Sequence, residues 1–388
     1  MTKNKYKVKI EWILIFLLFF SMFKISYIPG VIRQLIKVAS IIILLLFLVS
    51  NTPRKKLLNI SLVFSGCIIL SGVISYLNNI NTLRSLLESF IYALLFYDAY
   101  TLIQYFSLKN KMSYFLEEFY KIVFTFSAIN FVSIILLGRE GNMEPIYLLG
   151  NKFSVAYMLI LLISLFGATH VSPTNKNTIK YYLLIFVSIL ICIYMRSITA
   201  LISLIFVLFA SIFKNKISIL LKKPYFILSA LILSLGVVFI FDALLSNSEI
   251  GNLVFNVFNK STSIYGRQVI YNTYLKTILE NGRMIWGSGY NNSIIYEMSN
   301  GVFGNAQNGL FQHLISFGII GVCAILITAY YCLNNSDKDD NKIFYILLVS
   351  YAMIVAATVE VSINWYFFIG LFIVSNINKN EKIDIAVN

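Results

Sequence analysis

Apolar residues come in long blocks along this chain, and polar residues are confined mostly to short breaks between them. The blocks lie near 11–27, 34–50, 57–77, 85–106, 120–138, 153–171, 179–195, 197–213, 225–243, 308–333, 341–359 and 361–376. About 20 residues, rising about 1.5 Å each, cross a hydrocarbon core about 30 Å thick. The pattern therefore predicts an all-α, polytopic integral membrane protein with about 12 transmembrane helices. The breaks at Met195-Arg196-Ser197 and at Glu360 are so short that 10 or 11 spans fit the same pattern. The one long polar break, residues 244–307, predicts a large extracytoplasmic loop.

Composition agrees with this pattern: 59% of the residues are hydrophobic, 12% are charged, and mean hydropathy is +0.80. A soluble core does not require so much apolar sequence. Lys and Arg favour cytoplasmic loops. Of the 31 here, 20 fall on the side of the N-terminus: in 1–10, in Arg54-Lys55-Lys56, between Lys109 and Lys121, at Lys176 and Lys180, in 214–223, at Lys338 and Lys342, and in the tail. Both termini are expected in the cytoplasm, and 244–307 outside. Lys3, Lys5, Lys7 and Lys9 precede a first span without a small-residue cleavage site, which reads as an uncleaved signal anchor. With no internal repeat and no linker, the chain reads as one integral domain, 1–388. It comprises spans one to nine over 1–243, the loop 244–307, spans ten to twelve over 308–376, and a cytoplasmic tail, 377–388.

The net charge of +14 is dispersed over short loops, with no basic patch and no nucleic-acid motif, so topology and anionic lipid account for it and no nucleic-acid partner is expected. Cys67, Cys192, Cys323 and Cys332 fall in apolar runs without a CxxC pair or a His at ligand spacing, and read as small core residues rather than metal ligands. Phosphate-cradling loops, dinucleotide fingerprints, HExxH and GxSxG are all missing from the sequence. No metal or cofactor is expected.

Charge at membrane depth is expensive, about 2.5–3.5 kcal/mol for Arg or Asp at the centre of a span. Arg196, between two apolar runs, reads either as a tight external turn or as an anion ligand facing an outward cavity. Asp98 falls near the inner end of the fourth span, where solvation or a helix partner suffices. Arg84 and Glu88, four apart, predict a local ion pair. Lys24, Arg33 and Lys37 crowd the first outer loop, where they attract a phosphate-bearing lipid or line the interface.

The long loop carries a second pattern. Ile264, Arg267, Tyr271, Tyr274 and Ile278 recur at three- and four-residue steps, predicting an amphipathic surface helix that ends at Asn281-Gly282 and holds Arg267 at the bilayer boundary. There the planar Arg fork suits a phosphate. Tyr265, Tyr271, Tyr274, Arg283, Trp286 and Tyr290, with Gln307 and Asn308, form a set of aromatic, cationic and amide side chains suited to binding substrate. Rings cover the C–H faces of sugars and amides bind hydroxyls. Gly287 and Gly289 suit sharp turns. Gly318 and Gly321, deeper in the next span, suit tight helix packing.

The order of these motifs resembles the O-antigen ligase and polymerase superfamily, in particular the Wzy-type O-antigen and capsular polysaccharide polymerases. Tyr194-Met195-Arg196-Ser197-Ile198-Thr199-Ala200 looks like the family's SR-x-x-hydrophobic segment, and Tyr265-Gly266-Arg267-Gln268-Val269-Ile270 like its GR-x-x-hydrophobic element. Gly287-Ser288-Gly289, Gln307-Asn308 and Gly318-Ile319-Ile320-Gly321 follow in family order. The likeness covers about 190–321. Two departures stand out. Arg196 precedes Ser197, where the family more often has Ser before Arg. Gln307 occupies the place of the ligases' proposed His base, and an amide cannot take a proton near neutral pH, which favours polymerase over ligase.

The resemblance implies metal-independent glycosyl transfer on the outer face of a bacterial plasma membrane. The donor is an oligosaccharide on undecaprenyl pyrophosphate, and the acceptor is a second lipid-linked oligosaccharide. Arg196 and Arg267 would stabilise the leaving pyrophosphate. His313 is the candidate base, set against a purely buried hydrogen-bonding role. Glu249, Glu297 and Asp242 are unpaired carboxylates on the same side. A flippase and a chain-length regulator of the same pathway are implied partners, beside membrane lipids. Rival classes are a lipid-linked oligosaccharide flippase, which does not need so long an outer loop; a secondary transporter, for which matched broken spans are missing; a ligase-like transferase to another acceptor; and a non-enzymatic scaffold.

Overall fold

The computed structural model describes residues 9–137, 146–171, 177–245, 271, 283–298, 301, 304–337 and 340–377. Among them the secondary structure is helical, apart from one isolated bridge between Tyr147 and Gly150. The helices are α1 Ile10–Met22, α2 Gly30–Asn51, α3 Arg54–Leu57, α4 Ser61–Leu77, α5 Leu83–Leu108, α6 Met112–Leu137, α7 Lys152–His170 and α8 Asn177–Tyr194. They continue with α9 Ile198–Ile212, α10 Lys214–Leu221, α11 Pro224–Leu245, α12 Ile294–Met298, α13 Gly309–Asn334, α14 Asn341–Ala357 and α15 Trp365–Asn376. Each of the 12 apolar runs falls on one of these helices.

Six helices, α2, α5, α6, α7, α8 and α13, are long and apolar enough to cross a membrane. The pair α9 and α10 makes a seventh if taken as one span bent by 110°, and α1, α4, α11, α14 and α15 are shorter apolar helices. Helix starts follow from short polar side chains. Thr82, Asn151, Asn308, Asp340 and Asn364 each accept a backbone N–H from the first turn of the helix they precede, filling one of the donors a helix leaves open.

Hydrogen bonds sort the helix ends into two groups. At one end Lys111 Nζ reaches Glu11 Oε1 at 2.6 Å, Lys342 Nζ donates to Ser113 Oγ at 3.1 Å, and Lys222 Nζ donates to the Asp340 carbonyl at 3.2 Å. At the other, Ser26 N donates to the Leu148 carbonyl at 2.8 Å, and Asn81 Nδ2 to the Ser288 carbonyl at 2.9 Å. Tyr366 OH there donates to the Ser154 carbonyl at 3.3 Å.

Small residues let the helices meet closely. A Cβ at Gly72 of α4 would stand 2.7 Å from Ser89 Oγ of α5, and Ser350 Oγ of α14 donates to the Phe367 carbonyl of α15. Between them lies an aromatic core in which Phe96 touches Phe64, Phe368 and Phe372. The face of α2 is left apolar and bare, Val31 being 72% and Leu35 66% exposed.

Two sequence expectations need correction. Asp98 is not solvated: it is fully buried in α5, and neither carboxyl oxygen has a hydrogen-bond partner among the described residues. Cys323 is exposed on the face of α13, whereas Cys192 and Cys332 are buried and Cys67 is partly so.

Candidate functional site

α13 does not run unbroken. At Gly318 the backbone takes φ 66° and ψ −168°, outside the helical region. The amides of Ile319 and Ile320 thereby lose the carbonyls of Ile315 and Ser316, the acceptors four residues back that a continuous helix would supply. Residues 284–289 fill the gap on both sides. Ile319 N donates to the Met284 carbonyl at 2.9 Å and Ile320 N to the Ile285 carbonyl at 3.3 Å. In return Ser288 N donates to the Ile315 carbonyl at 2.9 Å and Gly289 N to the Ser316 carbonyl at 2.8 Å. The Ser71 hydroxyl of α4 is shared between the carbonyls of Trp286, at 2.6 Å, and Ser316, at 2.8 Å. A buried backbone group without a partner costs several kcal/mol in hydrocarbon, so irregular chain persists at depth only when satisfied in this way.

Glycine is required where the two segments cross. Gly287 and Gly318 both have positive φ. A Cβ at Gly287 would stand 2.5 Å from Gly318 N, and one at Gly318 would stand 2.1 Å from the Ile285 oxygen. Gly-Ser-Gly and the Gly-Ile-Ile-Gly element are thus two halves of one backbone junction. Gly318 serves to break α13 rather than to pack it against another helix.

The start of α13 is a second junction. Asn308 is fully buried. Its Oδ1 accepts from Phe311 N at 2.9 Å, while its Nδ2 donates to the Ser234 carbonyl at 2.9 Å and the Thr358 carbonyl at 3.4 Å. Gln307 has a left-handed backbone, φ 49°, and its carbonyl accepts from Tyr271 OH at 3.3 Å. The Tyr271 ring meets Phe311 edge-on at 5.1 Å.

His313 lies one turn deeper, buried between the Phe64 and Phe317 rings. Its Nε2 lies 2.6 Å from the Ile363 carbonyl, which can only accept, so Nε2 carries the proton, and Nδ1 has no partner among the described residues. This is the geometry of a structural hydrogen bond. His313→Gln keeps a donor near that carbonyl and is expected to preserve thermal stability, whereas His313→Leu, which removes the donor, should lower it. Equal unfolding temperatures for the two variants would show that the hydrogen bond has no structural role.

The remaining site residues are scattered. Arg196 is exposed in the turn between α8 and α9, with φ 50°. Arg283 opens the turn that leads to Gly287, whose N–H donates to the Arg283 carbonyl at 2.8 Å. Tyr290 stacks on Tyr92 of α5 at 4.4 Å, and burial, with the Glu88 carboxylate adding to it, pushes its phenol up to about 12. It remains a neutral hydrogen-bonding group at physiological pH. Arg267, Tyr265 and Tyr274, with the amphipathic helix expected around them, lie outside the described residues.

Beside this junction opens a cavity of about 950 Å³ that sequence reasoning did not assemble. Lys24, Arg33, Lys37, Arg84, Glu88, Tyr290 and Asn291 line it, together with apolar residues of α1, α2 and α5. Lys24, Arg33 and Lys37, which the sequence groups in the first outer loop, thereby share one wall with Arg84 of α5. The expected Arg84–Glu88 pair forms at 3.1 Å, and Asn291 Nδ2 donates to the other Glu88 oxygen at 2.5 Å. Glu88 is thus fully engaged. Lys24, Arg33 and Lys37 have no ion-pair partner among the described residues. The four-residue step from Arg33 to Lys37, one face of a helix, was the available signal.

No protein-family model matches this chain, and no curated protein matches it. The site must be read from its own chemistry.

Proposed function

We propose that this protein is a membrane-embedded polysaccharide polymerase joining oligosaccharide units carried on undecaprenyl pyrophosphate. In this reading about 12 helices cross a bacterial plasma membrane, both termini are cytoplasmic, and 244–307 with the glycine junction lies at the outer face. The observation that supports it most is the docking of Gly287-Ser288-Gly289 into the broken turn at Gly318. Two motifs that resemble the Wzy-type polymerases, far apart in sequence, thereby form one structure beside a cation-lined cavity.

The chemistry is a displacement at the anomeric carbon of the donor. A hydroxyl oxygen of the acceptor forms the new glycosidic bond as the bond from that carbon to pyrophosphate breaks. The pyrophosphate departs on its lipid, and the hydroxyl proton is released. Arginine suits the leaving group because its charge does not depend on protonation. Arg196 and Arg267 take that role in this proposal, with Trp286 and Tyr290 against the sugar.

Deletion of the gene tests the class. Single repeat units on lipid carrier at the outer face are expected, with polymer restored by the wild-type chain and not by Arg267→Ala or Arg196→Ala at equal protein level. Full-length polymer from either variant would remove the proposed Arg role. Units trapped at the inner face would point to a flippase instead.

A further inference from the structure

We infer that the cavity between α1, α2, α5 and the Tyr290-Asn291 segment binds the diphosphate headgroup of a lipid, with Lys24, Arg33 and Lys37 as its ligands. The inference deepens the polymerase reading by giving a lipid-linked substrate a place to dock, but the binding itself does not depend on that activity.

Charge comes first. The wall sets four cations, Lys24, Arg33, Lys37 and Arg84, against one carboxylate, Glu88, which pairs with Arg84, accepts from Asn291 and also attracts Lys37, so that three positive charges are in excess. What remains is three cations on two neighbouring elements, Lys24 in the turn after α1 and Arg33 with Lys37 on the first turns of α2. The α2 N-terminus adds partial positive charge at the same place. A cluster of unpaired cations in a partly desolvated cavity is unfavourable when empty and favours an anion of matching charge. A diphosphate ester matches it better than a single carboxylate would, and the Arg33 fork can hold two of its oxygens at once.

The walls then select the kind of anion. Phe20, Met22, Phe23, Leu87 and Ile91 face the same space, and Val31 and Leu35 at its edge are bare on the outer face of α2. An inorganic anion would gain nothing from these surfaces, whereas an isoprenoid or acyl tail leaving the headgroup along α2 would cover them. The volume, about 950 Å³, is at the upper end of the range of small-molecule sites, roughly 300–1,000 Å³, and leaves room beside a diphosphate for the start of its tail. Tyr290 and Asn291 close the cavity on the side of the glycine junction, so an occupant touches the segment that is locked into α13.

The test is binding by the full-length protein in nanodiscs of zwitterionic phosphatidylcholine, titrated with undecaprenyl pyrophosphate, inorganic pyrophosphate and undecaprenol. Tight binding of the lipid diphosphate is expected, with both comparison ligands weaker by about 10-fold or more. Arg33→Gln combined with Lys37→Gln should weaken the lipid diphosphate by about 10-fold or more and leave undecaprenol unchanged. Lys24→Gln, in an exposed turn, supplies a single change if the double variant does not purify, with a loss of about threefold expected. Wild-type affinity in these variants would overturn the site. Inorganic pyrophosphate binding as well as the lipid would overturn the lipid part of the assignment. Normal polymer from a deletion strain would defeat the polymerase reading and leave this binding result standing.

Discussion

Gly318→Ala is expected to be among the most damaging single changes in the chain. Its backbone, φ 66° and ψ −168°, lies in a region essentially restricted to glycine, where another residue costs on the order of 1–3 kcal/mol. The added methyl would also stand 2.1 Å from the Ile285 oxygen. That atom is a backbone acceptor in the junction and cannot swing aside as a side chain can. Forced repacking adds about 1–3 kcal/mol, giving a total of about 2–6 kcal/mol. The measurement is thermal unfolding of the purified variant. Gly66→Ala is the control, because a Cβ there meets nothing within 4 Å, and alanine in a helix is favoured over glycine by up to about 1 kcal/mol. Similar unfolding temperatures for Gly318→Ala and Gly66→Ala would mean that the junction is not held as described.

Asn308→Ala should have an effect of comparable size for a different reason. It removes the N-cap of α13, worth about 0.5–2 kcal/mol. It also removes the donor shared by the buried Ser234 carbonyl and the part-buried Thr358 carbonyl, two links worth about 0.5–1.5 kcal/mol each. The expected loss is about 2–5 kcal/mol. Asn308→Asp separates the two contributions. It retains an acceptor for Phe311 N but turns an oxygen toward two carbonyl oxygens, so it should be no more stable than the alanine variant. An aspartate variant as stable as wild type would show that the cap alone matters and that the links to α11 and α14 are incidental.

The contrast between these two positions shows what the sequence makes visible. Asn308 before an apolar run is a recognisable helix start, because capping depends on residues only three apart. The apolar runs are readable for the same reason: a side chain that faces lipid must be apolar whatever its distant neighbours are. Gly318 is different. Within Phe317-Gly318-Ile319-Ile320-Gly321 it looks like a packing residue, and only the carbonyls of residues 284 and 285, more than 30 positions away, make it a break. Hydrogen bonds between distant backbones leave almost no trace in side-chain pattern beyond the glycines themselves. α10 escapes notice for a related reason, since Lys214 and Lys216 make 214–223 read as a basic loop although Lys214–Leu221 forms a helix bent sharply away from α9. The cation wall was half legible. Arg33 and Lys37 share a helix face by spacing, but nothing local says that Glu88 is already committed to Arg84 and Asn291, which is what leaves the other cations unmatched.

The junction at Gly318 also bears on how the protein is made. Residues 284–289 leave the ribosome before α13 exists, so their amides and carbonyls must stay hydrated until their partners are synthesised. α13 itself can enter the bilayer as an ordinary continuous helix, with Ile319 and Ile320 bonded to Ile315 and Ser316. Docking then exchanges those two intrahelical bonds for the four that join the segments. The break in α13 is thus satisfied only when both segments are present, so α13 on its own has no reason to bend at Gly318.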